Sequence, residues 1–291
     1  MTYSGEDHLA VRQFYETYGW ERGPTGEFRD AETFVDLRPV MSGYGRRTAR
    51  RVVRLLGNGG DLLDVGCGGA PLPVRSRPGT RRISLDVAGA ALRAARNDLA
   101  ARSAYVQADV CRLPFADNVF GRVLCAHVLY HLPPRRQRWA LVEIYRVLAE
   151  GGVAVVVVFQ PRAVLHRLTG RLREKSGSTA EHPRLPHHPV DYRELCRDLG
   201  GRMSIEVRTW AILEADVTRV AVPDNLFGRG LLAGVAAVES LLPHQSLRWA
   251  RYPMLVIRKP GAGGAGQRST AGGAGQRSTA GSRPGRRQIG Q

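Results

Sequence analysis

Two histidines four residues apart, His127 and His131, lie in the run Cys125-Ala126-His127-Val128-Leu129-Tyr130-His131. An imidazole titrates near neutrality, so a histidine beside a hydroxyl acceptor can serve as general base. A hydrogen-bonded pocket wall or helix cap is the alternative role for the same residues. The i, i+4 spacing also suits a metal pair, but no acidic third ligand stands nearby in sequence, and no metal is expected. The second cluster lies upstream. Asp61-Leu62-Leu63-Asp64-Val65 reads as a short buried strand, and Gly66-Cys67-Gly68-Gly69 breaks it into a tight turn. Gly66 and Gly68 allow positive φ and close approach of backbone to a ligand. Asp64 closes the strand at its carboxyl end, where open α/β sheets place their ligands.

Two ligand classes use such a turn, dinucleotides and S-adenosylmethionine. The dinucleotide fingerprint needs Gly or Ala at its sixth position, where a helix receives the pyrophosphate. Pro71 stands there and offers no N–H. Further acids follow at strand ends: Asp86 after Ser84-Leu85, and Asp109 within Gln107-Ala108-Asp109-Val110. A strand-end carboxylate can accept hydrogen bonds from both hydroxyls of a ribose.

Taken together, Asp64, Gly66, Gly68, Asp86, Asp109, the segment Leu113-Pro114-Phe115, the His127–His131 run and Arg146-Val147-Leu148-Ala149-Glu150-Gly151-Gly152 form an ordered series. It resembles the class I S-adenosylmethionine-dependent methyltransferases, most closely the small-molecule branch (type 11) that includes quinone-biosynthesis enzymes. Ala70 departs from the family's third glycine, and Gly121 stands where relatives usually carry Asp. The resemblance implies a Rossmann-like, seven-stranded, mostly parallel sheet with helices on both faces. It assigns S-adenosyl-L-methionine as cofactor, with Asp64, Gly66, Cys67, Gly68, Asp86, Val87, Asp109, Val110 and Ala126 as its contacts. Asp86 would take the ribose and Asp109 the adenine amino group; a cap on the turn before Leu113 is a second, compatible role for Asp109. His127 and His131 are the candidate catalytic residues.

The elements that must position these residues follow from periodicity. Asp7 to Tyr18 is an amphipathic helix; Tyr15 and Tyr18 on it read as core before substrate contacts. A second helix spans Met41 to Leu56 with Val52, Leu55 and Leu56 inward. Pro71, Pro73 and Pro78 fall where the family carries a helix, so a short helix or a loop is expected there. Strands are expected at Arg82 to Asp86, Ala104 to Gln107, Val119 to Ala126 and Val153 to Phe159, with a helix from Ala88 to Ala101. Arg135 to Leu148 is a helix with Trp139, Val142, Tyr145 and Leu148 inward. Gln160 to Pro189 reads as an insertion whose His182, His187 and His188 are substrate-side candidates. A helix from Asp191 to Leu199, strands at Ser204 to Trp210 and Pro253 to Arg258, and an apolar helix broken by glycines at Leu226 to Leu242 complete the chain. The organisation expected is a helical cap over 1–60, a cofactor-binding core over 61–159, acceptor-side elements of the same domain over 160–260, and a disordered tail over 261–291.

The chain of 291 residues carries a net charge of +17, nearly all of it arginine, since lysine occurs only at Lys175 and Lys259. Five of those arginines lie in the tail, where Ala-Gly-Gly-Ala-Gly-Gln-Arg-Ser-Thr is repeated at 262–270 and 271–279. No aromatic residues interleave with the basic clusters as stacking platforms for RNA would require. Arg46, Arg47, Arg50 and Arg51 read as a solvated helix face. Cys67, Cys111, Cys125 and Cys196 show no C-x-x-C pairing, and unpaired thiols fit a reducing cytoplasm. No run of 18 apolar residues exists, Glu239 interrupting the longest, and the N-terminus lacks a secretory signal. Methyl transfer to a small-molecule acceptor, on oxygen or carbon of a quinone-like or secondary-metabolite ring, is the leading reading. An RNA methyltransferase and a non-catalytic cofactor-fold binding protein are the alternatives.

Overall fold

The computed structural model describes residues 5–72, 74, 77–98, 103–160, 164 and 185–261. The repeated tail beyond residue 261, His182 and most of the insertion after β5 lie outside them.

Seven strands form one sheet in the order β3-β2-β1-β4-β5-β7-β6. They are β1 (Leu62–Val65), β2 (Arg82–Asp86), β3 (Ser103–Gln107), β4 (Phe120–Ala126), β5 (Leu148–Val157), β6 (Ser204–Ala211) and β7 (Tyr252–Arg258). β1 to β5 pair in parallel, and β7 runs antiparallel to both β5 and β6. The chain order reverses between β1 and β4, and this switch point is where such sheets open a ligand crevice. The expected Rossmann-like, mostly parallel sheet is thus the observed one.

Both faces of the sheet are buried, and the alternation of side chains along the strands divides them. Leu63, Val65, Val123, Cys125, Ala154 and Val156 point to one face, under α5 (Pro134–Val147) and α6 (Tyr192–Leu199). Leu62, Leu124, Val153, Val155 and Val157 point to the other, under α3 (Ser42–Leu56). β5 is apolar on both faces, which is why its sequence is an unbroken run rather than an alternation. It starts earlier than expected, at Leu148, directly from the end of α5, and an irregular register between Phe120 and Arg122 accommodates the Gly151-Gly152 turn.

The remaining helices are α1 (Gly5–Thr17), α2 (Arg29–Phe34), α4 (Gly89–Asp98), α7 (Ala215–Ala221) and α8 (Leu226–Leu241). α2 and α7 are too short to carry a clear period and were not anticipated. No helix occurs among the described residues of the proline-bearing stretch after β1.

Three expectations fail in detail. Trp139 is 48 % exposed, because the inner stripe of α5 is Gln137, Ala140, Leu141, Ile144 and Val147, one position away from the stripe expected. Arg51 is buried rather than part of a solvated run. Its Nη2 reaches Glu239 Oε2 at 2.7 Å, and it donates to the carbonyls of Trp210 and Ala236 at 2.5 and 2.9 Å. The glycines of α8 do not break it: Asn225 caps its start by accepting from Gly228 N–H at 3.1 Å, and the helix runs unbroken for 16 residues. No described helix is long and apolar enough to cross a membrane.

Candidate active site

The glycine turn after β1 is shaped by two backbone contacts. Gly66 and Cys67 donate their N–H groups to Leu85 O at 2.7 and 3.1 Å, and φ is +64° at Gly66 and +62° at Gly68. A Cβ on Gly66 would lie 2.1 Å from Val128 Cγ2, and one on Gly68 would lie 2.5 Å from the Trp20 ring. Only glycine therefore fits, on both conformational and steric grounds.

Asp86 ends β2 beside this turn. One of its oxygens accepts from Gly68 N–H and the other from Ala88 N–H, each at 3.0 Å. Burial raises its pKa, and these two donors oppose the rise. A carboxylate offers about four acceptor positions, so two remain for hydroxyl donors of a ligand. Asp64 is spent differently. It forms a buried ion pair with Arg82, which also donates to Leu72 O at 2.7 Å. Asp64 thus stiffens the β1–β2 edge beneath the turn. Asp109 accepts from Cys111 N–H at 2.9 Å and is ion-paired with Arg136, so the capping role is realised.

All these groups line one cavity of about 1020 Å³, together with Cys67, Val87, Val110 and Ala126. Every residue expected to contact a cofactor therefore lines this one cavity. Trp20 lies over the same turn, and its buried Nε1–H has no hydrogen-bond partner among the described residues. Glycines that a Cβ would block, a strand-end carboxylate with free acceptor positions and an orphaned donor together suit a bound nucleoside carrying an amino-acid end.

Aromatic and histidine side chains line the same cavity. His127 takes a φ of +64°, a region costly for a residue with a Cβ, and its ring packs 5.0 Å from Trp210 and 5.4 Å from Tyr252. His131, 9 % exposed, has its Nε2 3.3 Å from Tyr15 Oη. His187 stacks on Tyr130 at 5.4 Å and lies 5.3 Å from His131, so one insertion histidine joins the site. His188 does not line the cavity; its N–H donates to Tyr130 O at 2.7 Å. Burial pushes His127 down to about 4. It pushes His131 down to about 3, with the neighbouring His187 adding to the effect. Both imidazoles are therefore neutral at pH 7. Among the described residues no group of three His, Cys, Asp or Glu is arranged to hold a metal.

Tyr15 lines the cavity as well as packing with Phe14 and Trp20, so it is more than the core residue first expected. Sequence reasoning missed Asp30, Trp20, Phe159, Trp210 and Tyr252. Phe159, Trp210 and Tyr252 sit at or just beyond strand ends on the ligand edge of the sheet, and that position is the one signal that could have found them. Asp30 and Trp20 come from a segment without periodicity.

Comparison with known proteins agrees with this geometry. Residues 63–156 match the family model described as a methyltransferase domain. Demethylmenaquinone methyltransferase of Thermus thermophilus is 36% identical over 103 residues, which cover 34% of this chain and 46% of that protein. The chain thus aligns with about half the length of this curated relative. Among solved structures, the N-methyltransferase NodS of Bradyrhizobium japonicum, in complex with S-adenosyl-l-homocysteine, superposes with a TM-score of 0.53 at 17% identity, over 86% of this chain and 99% of that one. Phosphoethanolamine N-methyltransferase 1 of Haemonchus contortus gives 0.58 at 13% identity, over 90% of this chain and 51% of that one. At these identities the structures speak for the fold. With the ordered motifs, the sheet order and the family match coinciding on β1 to β5, the chain carries a methyltransferase domain of the class I S-adenosylmethionine-dependent family.

Proposed function

We propose that this protein transfers a methyl group from S-adenosylmethionine to a small-molecule acceptor bound against the aromatic wall. One observation carries the reading: the nine cofactor candidates and both histidines line a single cavity of about 1020 Å³. That volume is at the upper end for one ligand, and room for two reactants is what group transfer requires. Asp86 would hold the ribose hydroxyls, Asp109 and Val110 the adenine side, and the turn at Gly66 to Gly68 the methionine end. Bound there, the cofactor supplies an electrophilic methyl group on a positively charged sulfur.

The protein's contribution is alignment and exclusion of water. Tyr130, Phe159, Trp210 and Tyr252 form the acceptor wall with His127 and His187. Planar rings lining a site favour a planar ring in it, which agrees with a quinone-like or secondary-metabolite acceptor methylated on oxygen or carbon. Residues 1–60 act as the cap and 160–260 supply acceptor-side elements, because Tyr15 and Asp30 come from the first and Trp210 and Tyr252 from the second. A cytoplasmic location fits four cysteines that form no disulfide among the described residues.

Calorimetry of the full chain with S-adenosylhomocysteine tests the cofactor reading, and micromolar binding is the expected result. Incubation with isotopically labelled cofactor and a metabolite extract, read by mass spectrometry, tests the acceptor class. Label appearing in RNA and in no small molecule would overturn the small-acceptor reading.

A further inference from the structure

α8 is apolar on both sides. The fold uses the inner side: Leu232 and Ala236 are buried with Val40 and Tyr44, and Glu239 takes the ion pair with Arg51. The outer side carries Phe227, Leu231, Gly234, Val238 and Leu241, spaced four, three, four and three. At the helical turn angle these five fall within an arc of about 80°, a continuous seam along the helix. Leu226, Phe227, Leu231, Val238 and Leu241 are 81, 73, 45, 45 and 79 % exposed, so among the described residues nothing covers them. Arg229 is the one exposed charge of α8, and it lies outside that arc. A surface helix ordinarily turns a charged face to water; one that is apolar all round is normally a buried helix.

The glycines on this side point the same way. A Cβ on Gly230 or Gly234 would meet no atom within 4 Å, and neither residue takes a positive φ. Nothing in the fold asks for glycine at these positions, although each weakens the helix relative to alanine. Bare main chain, four residues apart on an outer face, is what a second helix needs for close approach.

We propose that α8 pairs with α8 of a second copy of this chain, across a two-fold axis at Gly234. The seam is nearly symmetrical in side-chain size about that residue. With the helices antiparallel, Phe227 meets the partner's Leu241, Leu231 meets the partner's Val238, and Gly234 meets its own counterpart. Such self-complementarity is the requirement of a two-fold contact, in which one patch serves both sides. The five exposed side chains present roughly 600 Å² of mostly apolar surface, against about 800 Å² per partner in a standard interface. The chain's own tail is a poor occupant, because Ile289 is its one large aliphatic residue.

Sedimentation velocity on the full chain tests the pairing. A dimer is expected at about 10 μM and above, and it should tighten as salt rises, since the like charge of two chains of +17 is screened while apolar contact remains. Leu231→Asp should weaken dimerisation by about 10²-fold or more, because both copies carry the change. Gly234→Ala separates the pairing from helix stability. It should weaken dimerisation by about tenfold through overpacking, yet raise the melting temperature in the Leu231→Asp monomer. Mixed single-cysteine variants Phe227→Cys and Leu241→Cys should cross-link under copper phenanthroline, above the background of the wild type. A wild type that is monomeric at about 100 μM, a dimer that survives Leu231→Asp, or no cross-link in the mixture would overturn the proposal. A monomer that instead co-sediments with phosphatidylglycerol vesicles through Leu231 would overturn it too, and give this face to a lipid surface.

Discussion

Gly68 donates its backbone N–H to the carboxylate of Asp86 across 3.0 Å, so the acid that closes β2 also fixes the turn that follows β1. The two motif elements expected to meet the cofactor are thereby one mechanical unit. Asp86→Ala should weaken S-adenosylhomocysteine binding by about 1–3 kcal/mol, through loss of a charged acceptor and loosening of the turn. Calorimetry on the purified variant measures this, and an unchanged dissociation constant would remove Asp86 from the site.

Gly68→Ala probes the turn from the other side. Its Cβ would lie 2.5 Å from the Trp20 ring, in a backbone with φ of +62°. The conformational part of the cost is about 1–2 kcal/mol and the steric part adds to it. Trp20→Ala should relieve the steric part alone, so the double variant should bind better than additivity allows. Strictly additive losses would mean that Trp20 does not rest on the turn.

The buried pair of Arg51 and Glu239 joins α3 to α8, with Tyr44 Oη donating to Glu239 at 2.6 Å and Ile212 N–H at 2.7 Å. Removing one partner leaves an uncompensated buried charge. Arg51→Met should therefore cost about 3–5 kcal/mol in denaturant unfolding, and Arg51→Met with Glu239→Gln distinctly less. If the double variant is no more stable than the single one, the pair is not the source of the cost.

His131 makes stability depend on pH. Its pKa falls from 6.5 in the unfolded chain to about 3 in the fold, because burial disfavours the imidazolium. Below pH 6.5 the unfolded chain binds a proton that the folded one refuses, so stability is lost as pH falls toward the folded value. By pH 5 the loss is roughly 2 kcal/mol. Asp30 acts in the opposite sense over part of this window, since its folded pKa is raised. The measurement is therefore the difference between wild type and His131→Gln, which should shrink the pH 7 to pH 5 change. Parallel curves for the two proteins would place His131 in contact with water.

The sequence was most legible where a single local rule decided the outcome. The apolar run of β5 needs only burial on both faces, and the turn at Gly66 and Gly68 needs only the absence of a Cβ. Pro71, Pro73 and Pro78 argued for a short helix or a loop after β1, and none of the described residues there is helical. Legibility ended where partners are distant in the chain. Arg51 looks like one of four solvated arginines until Glu239, nearly 190 residues later, is seen to need a cation. Trp139 and Ala140 fit almost the same helical period, and only the sheet beneath decides which is inside. Asp30 had no pattern at all: only the cavity it lines in the fold singles it out.

Gly121, which stands where relatives usually carry an acid, abuts the loop before β1. A Cβ there would lie 3.0 Å from both Gly60 Cα and Gly59 O, and a Cβ on Gly60 would lie 3.0 Å from Gly121 Cα. Neither residue can gain a side chain first without displacing main chain. A side chain at position 121 therefore requires the main chain before β1 to move back from β4, so the two segments set each other's closest approach.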